Sequence, residues 1–248
     1  MRKWIYGFFM TWGMFLSIPC PFRRWDERAR GNMMVCLPFI GAVVGGIWDL
    51  TAWILERLHA PNAVAALALA ALPWLTTGWI HLDGYMDVCD AVLSRRDLDT
   101  RRKILKDSHC GAFAVISLVL LALAQWSFFL SAGRVALLPL ALIPVATRAC
   151  AGLAVVSLRP IETSQYASMD RQGRAAKQAA LWVMLLLSVG LPLLRVDGAG
   201  CAPLAAAAGY GLAVRYGFRQ LQGMSGDISG FALTLGELAG VAVLTLAR

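Results

Sequence analysis

The chain has 248 residues, of which 58% are hydrophobic and 15% charged, where soluble domains run at about 45–50% apolar and about 25% charged. That composition excludes an ordinary soluble globular enzyme. The 23 basic and 15 acidic residues leave a net charge of +8, and in a membrane protein the location of those charges says more than their sum.

Arg2 and Lys3 precede an apolar run over residues 4–18 that ends at Pro19-Cys20-Pro21. No small-x-small cleavage site follows, which argues against a signal peptide. The run is short for a bilayer crossing of about 20 residues, and Phe8, Trp12 and Phe15 recur at helical spacing. The expectation is an uncleaved amphipathic or re-entrant helix. Further apolar stretches predict spans near 33–56, 62–80, 111–131, 135–157, 178–194, 201–216 and 229–247. The fold class is therefore an all-α, polytopic integral membrane protein with about seven transmembrane helices plus the N-terminal helix, folded as one domain over 1–248. The Ala-rich span 201–216 is the weakest of these, and losing it would break the alternation of loops after residue 195.

The connecting segments fall into two alternating sets. One carries Arg23, Arg24, Arg28 and Arg30, then Arg95, Arg96, Arg101, Arg102, Lys103 and Lys106, then Arg159, Arg171, Arg174 and Lys177, then Arg215 and Arg219; the other carries only Arg57, Arg134, Arg195 and Arg248. The positive-inside rule puts the first set in the cytoplasm. Arg95, Arg96, Arg101 and Arg102 are expected to touch anionic lipid headgroups. Asp97 with Arg101, and Asp99 with Lys103, stand at i,i+4 and support a surface helix between them. The six cysteines form no C-x-x-C pair and read as reduced, small apolar residues.

The acidic residues are more informative. His81-Leu82-Asp83-Gly84-Tyr85-Met86-Asp87-Val88-Cys89-Asp90 follows a span directly. On a helix, positions i, i+4 and i+7 share an arc of about 60°, so Asp83, Asp87 and Asp90 line one face. Three adjacent carboxylates repel each other, and a divalent cation removes the conflict. Magnesium suits such a face because it takes one or two carboxylates and completes its shell with water and substrate phosphate oxygens. At the far end of the same loop, Lys106-Asp107-Ser108-His109-Cys110-Gly111 brings a cation, a hydroxyl and an imidazole to the start of the next span. A second acidic site follows in Ser225-Gly226-Asp227, where Gly226, Gly230, Gly236 and Gly240 are also spaced for close helix packing. Glu237 lies within the last span, about 12 Å from its start, and Arg148 about 13 Å from the cytoplasmic end of its own. An ionisable residue at such depth faces a partner or a polar cavity, so the two are expected to pair or to line the floor of one cytoplasm-facing cavity.

Taken together, these motifs resemble the cobalamin synthases (adenosylcobinamide-GDP ribazoletransferases). Ile18-Pro19-Cys20-Pro21 with Trp25 is similar to the family's I-P-x-P segment, and Phe39-Ile40-Gly41 to the apolar segment that follows. The stretch 81–90 resembles H-L-D-G-x-x-D-x-x-D, residues 106–113 resemble K-D-S-x-x-G-A-F, and Gly226-Asp227 with Glu237 resembles the G-D-x-x-G...E ending. Met224 and Ala114 are the small departures. The resemblance implies a magnesium-dependent transfer of the cobinamide phosphoryl group from adenosylcobinamide-GDP to α-ribazole or its 5′-phosphate, with release of GMP, in the bacterial inner membrane and with the active site facing the cytoplasm. It implies metal ligation by Asp83, Asp87, Asp90 and Asp227, and a general base drawn from the aspartates or His81, with His109 behind. Lys106, Asp107, Ser108, His109, Arg148, Arg159 and Glu237 are the expected substrate contacts. The partners are the two substrates and membrane lipid, without nucleic acid, and a homo-oligomer is left open. The rival readings are a CDP-alcohol phosphotransferase or prenyltransferase, whose motif spacings are absent, and a transporter, for which no inverted repeat is visible.

Overall fold

Lipid offers no partner for a backbone N–H or C=O, so a chain this apolar can span a bilayer only as helices or a closed barrel. In the computed structural model, which describes residues 2–162, 164, 166, 173–194 and 197–247, it takes the helical solution. Arg171, Arg195 and Arg248 lie outside the described residues. The helices are α1 (Arg2–Phe15), α2 (Met33–Arg57), α3 (Asn62–Thr76), α4 (Ile80–Leu93), α5 (Leu98–Ile104), α6 (Ala112–Ser131), α7 (Leu137–Ser157), α8 (Arg174–Leu193), α9 (Ala202–Leu221) and α10 (Gly226–Leu246). Among the described residues there is no strand, only an isolated bridge between Pro160 and Met224. The six cysteines are free thiols.

The chain is a multi-pass membrane protein: five segments, containing α2, α6, α7, α8 and α10, are long and apolar enough to cross a bilayer. The expected span 62–80 is not one straight helix. α3 and α4 meet that test only as a pair and are bent by 91°. The bend is written in the backbone. Gly78 N–H bonds to Leu75 C=O and Trp79 N–H to Trp74 C=O, a Schellman closure with Gly78 at φ +59° and Trp79 also left-handed at φ +65°. A left-handed tryptophan is costly, which is why apolar periodicity does not forecast the turn.

α9 falls short on hydropathy, yet its ends lie at opposite ends of the bundle. It begins where α8 finishes, and its C-terminal residues Gln220, Leu221 and Gln222 accept hydrogen bonds from Arg101 and Arg102 of α5. Counting α3 with α4 as one gives six such segments, and α9 is the seventh of the expected stretches, below the hydropathy of the others. These bonds also correct the assignment of Arg101 and Arg102 to lipid headgroups. The last carbonyls of a helix lack intrahelical partners and carry its negative dipole end, and the two guanidinium groups satisfy them. Asp97 likewise caps α5, accepting from the Thr100 amide at 3.0 Å and hydroxyl at 2.7 Å, rather than pairing with Arg101.

α10 forms the centre of the bundle, against α4, α6, α7 and α9. Small residues permit the closest crossings. A Cβ on Gly41 would lie 2.5 Å from the Pro144 carbonyl oxygen, and one on Gly236 2.8 Å from that of Ala206, so α2–α7 and α9–α10 touch backbone to backbone. Two buried side chains bond to backbone across helices: Trp48 Nε1 donates to Leu69 C=O at 2.8 Å and Gln125 Nε2 to Ala70 C=O at 2.9 Å. α1 is too short to cross, at about 21 Å. It buries Gly7, Met10, Thr11 and Phe15, one helical face, and Thr11 Oγ1 donates to Met33 C=O at 3.2 Å. The chain after α1 is tied to the α3–α4 bend, since Ser17 N–H donates to Thr76 C=O at 2.9 Å and Ser17 Oγ to Leu75 C=O at 2.8 Å.

Candidate active site

The bend aims α4 across the start of α10. Gly84 makes the crossing possible, because a Cβ there would lie 2.8 Å from Asp227 Cα; Gly230 does the same one turn later, against the His81 carbonyl at 2.9 Å. The two acidic motifs, 137 or more residues apart in sequence, are thereby brought together. Asp83 is exposed, Asp87 and Asp227 are half-buried, and Asp87 feels Asp83, Asp227 and Asp90, as Asp227 feels Asp83. Ser225 caps α10, accepting from Ile228 N–H at 3.3 Å and donating to Asp227 Oδ2 at 3.3 Å.

Asp90 sits on the same helical face but does different work. Its oxygens accept the Gly111 and Ala114 amides at 2.5 and 3.0 Å, so it caps α6 from outside. Gly111 is required there, since a Cβ would lie 2.6 Å from either carboxylate oxygen. The i+7 spacing alone cannot separate a cap from a ligand.

Two pockets flank the Asp83–Asp227 junction. One, of about 250 Å³, is lined by Arg102, Leu105, Lys106, Ile161, Ser164, Ser225, Gly226 and Asp227. The other, of about 480 Å³, is lined by Asp83, Thr77, Gly78, Trp79, Ile80 and Met14, Leu16 and Ser17. Lys106 is thus gathered to the site. Arg102 and Ser225 are site residues that the sequence reading missed; the signals for them are the i,i+4 step from Arg102 to Lys106 and the hydroxyl directly before Gly226-Asp227.

Other expected residues lie elsewhere. His81 is buried, its ring stacked on Phe15 at 5.7 Å and its Nε2 without a partner, on the side of α4 away from Asp83. Asp107, Ser108 and His109 form an exposed loop. There the His109 ring, 2.7 Å from Asp107 Oδ1, holds the Asp107 carboxyl below the usual carboxylate range. The Arg159 side chain is exposed with Glu162 at 3.9 Å, while its carbonyl accepts from Met224 N–H at 2.9 Å and so braces the turn before α10. Arg148 and Glu237 do pair, Nη1 to Oε1 at 2.8 Å, but with side chains only 1% and 4% exposed. They line none of the pockets described above, and burial makes them an ion pair inside the bundle.

The carboxylates constitute an all-oxygen, hard donor set, the kind magnesium selects. Among the described residues no three His, Cys, Asp or Glu side chains converge into a ready-made metal shell.

Residues 7–245 match the family model described as cobalamin-5-phosphate synthase. The chain is 36% identical over 241 residues to an adenosylcobinamide-GDP ribazoletransferase of Clostridium perfringens (strain 13 / Type A), covering 95% of each chain. It is 34% identical over 246 residues to the enzyme of that name in Clostridium botulinum (strain Alaska E43 / Type E3), covering 97% of each, and 29% identical over 232 residues to that of Geotalea daltonii, covering 93% of each. No solved structure matches. With a family model spanning nearly the whole chain and relatives of the same transferase name aligned from end to end, this chain belongs to the cobalamin-5-phosphate synthase family.

Proposed function

We propose that this protein transfers the adenosylcobinamide phosphoryl group from adenosylcobinamide-GDP to α-ribazole or its 5′-phosphate, releasing GMP, with a divalent magnesium ion at the α4–α10 crossing. The observation that carries the reading is the seating of Gly84 on Asp227, which joins the two acidic motifs beside a pocket containing Arg102 and Lys106. Asp83, Asp87 and Asp227 are the residues that would hold the ion; Asp90 acts by fixing the start of α6 against α4. When bound, magnesium neutralises charge on the diphosphate and the departing phosphate oxygens. The lack of a complete protein shell suits an ion that takes part of its coordination from substrate phosphate.

The chain's own groups have distinct tasks. Lys106 and Arg102 bind diphosphate oxygens in the basic pocket, Arg102 from a side chain already steadied by the end of α9. The acceptor hydroxyl approaches from the Asp83 side. Its oxygen bonds to the cobinamide-side phosphorus, the bond to the bridging oxygen breaks, and that electron pair leaves with GMP. The hydroxyl proton passes to Asp83, the exposed member of the cluster. Positioning and charge compensation supply most of the acceleration in phosphoryl transfer. The concentration of Lys and Arg at this end supports a cytoplasmic site in a bacterial inner membrane, with Arg95 and Arg96 near lipid headgroups.

The test is to incubate the purified protein, in lipid, with adenosylcobinamide-GDP, α-ribazole and Mg²⁺ and to follow cobalamin and GMP by chromatography. Both products should form together and only with the divalent ion. Absence of product where a related enzyme is active in the same vesicles would overturn the assignment.

A further inference from the structure

A tryptophan in the left-handed region carries a backbone cost that glycine or asparagine at the same place largely avoids, and Trp79 carries it at φ +65°. Packing does not offset that cost. The residue is 48% exposed, and among the described residues no other aromatic ring or cation lies against it. Trp12, Trp48 and Trp126, by contrast, each donate Nε1 to a backbone carbonyl. A tryptophan that only anchors the chain at the lipid interface needs no strained backbone. What the strain achieves is placement. Trp79 lines the pocket of about 480 Å³ that contains Asp83, and Asp83 N–H donates to Trp79 C=O at 2.8 Å, so the two residues stand one helical turn apart. The bend is also fixed from behind, since Ser17, which lines the same pocket, bonds to the end of α3. Backbone strain held in place by its surroundings beside reactive groups points to a task for the side chain.

We propose that the Trp79 indole is the platform on which the aromatic base of the acceptor stacks, with the reacting ribose hydroxyl at Asp83. The inference rests on the reaction proposed above. Base and hydroxyl are carried by one ribose, so their contacts must lie a few ångströms apart, and positions one helical turn apart, with about 5–6 Å between Cβ atoms, meet that requirement. The volume suits it: ligand pockets of about 300–1,000 Å³ enclose a drug-sized molecule, which describes a bicyclic base on a ribose, whereas an adenosylated corrinoid is several times bulkier. The indole offers a flat π-face to a flat base, and Met14 and Leu16 extend the apolar wall beside it. No contact to a 5′-phosphate is involved, so the free and the phosphorylated acceptor use the platform alike.

Steady-state kinetics on the full-length protein in phosphatidylcholine vesicles test this, with each acceptor varied at saturating adenosylcobinamide-GDP and Mg²⁺. Trp79→Gly and Trp79→Asn remove the ring and accept the left-handed backbone with little strain, so both should unfold in detergent at no lower temperature than the wild type. Each should raise KM for α-ribazole and for α-ribazole 5′-phosphate by about tenfold or more and leave KM for adenosylcobinamide-GDP within about twofold. Trp79→Phe keeps an aromatic face and should hold the acceptor KM within about threefold of the wild type. Unchanged acceptor KM values in the glycine and asparagine variants would show that the indole faces lipid, not the acceptor, and would overturn the inference. A rise confined to the donor would overturn it too, as would a loss of kcat with no change in acceptor KM, which would make Trp79 a shaper of the bend only. A wild-type protein that forms no cobalamin would instead remove the underlying reading.

Discussion

Two charged clusters stand within a few turns of each other on α10, and they are built on opposite plans. At its start, Asp227 lies within electrostatic reach of Asp83 and Asp87, with no cation bonded to any of the three among the described residues, beside two open pockets. Ten residues further in, Glu237 is bonded to Arg148 and closed off from solvent. Like charges held together at an accessible crossing are poised for a ligand of opposite charge, whereas the sealed pair compensates its charge internally and links α7 to α10, with Arg148 Nε and Nη2 left without partners among the described residues. The depth of a charge in a membrane helix therefore does not by itself mark a reactive site; what it is left to bind does.

The contrast can be broken at four points. The largest effect is expected at the open cluster: Asp83→Asn should lower kcat by about 10²–10⁴-fold while the protein still inserts and folds, as read by turnover and by gel filtration in detergent. A near-normal rate would take Asp83 out of the reaction. At the closed cluster the loss should be in stability. Glu237→Gln strands a buried guanidinium and should cost about 3–5 kcal/mol, most of it recovered when Arg148→Met is combined with Glu237→Leu. Thermal unfolding in detergent measures this, and the double variant should retain turnover per folded molecule. If it is folded but inactive, Arg148 and Glu237 contact substrate after all.

A smaller effect is expected where the two plans meet. Gly111→Ala pushes a Cβ into the Asp90 carboxylate and should cost about 0.5–2 kcal/mol through loss of the α6 cap, seen as faster amide exchange at Ala114. The smallest is at the exposed edge. Asp97 is held below the ordinary carboxylate range by the hydroxyl and amide of Thr100. Its support of α5 is therefore complete above the unfolded carboxylate pKa and lost as pH falls through the lowered value. Exchange at the Thr100 amide should accelerate in that acid window in the wild type and show no such step in Asp97→Asn.

Much of the fold was legible because a membrane helix must be long and apolar: α2, α6, α7 and α10 fall within a few residues of their expected bounds. The pairing of Arg148 with Glu237 is legible in the sequence as well, since rise per residue converts directly into depth along a helix. What stayed hidden depends on contacts between distant segments. Nothing in 74–79 announces a left-handed Trp79, and nothing near Asp90 announces that its oxygens are taken by Gly111 and Ala114. Arg101 and Arg102 look like headgroup ligands until the end of α9 is found beside them. His81 adjoins the acidic motif in sequence, yet two steps along a helix turn its ring to the opposite side, onto Phe15.

The central claim is that the open cluster grips a divalent ion jointly with the substrate diphosphate, and Mn²⁺ as a paramagnetic substitute tests it most directly. In electron paramagnetic resonance titrations of the protein in lipid, Mn²⁺ should bind tightly only when adenosylcobinamide-GDP is present, and that binding should vanish in the Asp83→Asn, Asp87→Asn, Asp227→Asn triple variant while persisting in the Arg148→Met, Glu237→Leu variant. Undiminished Mn²⁺ binding in the triple variant would contradict the account.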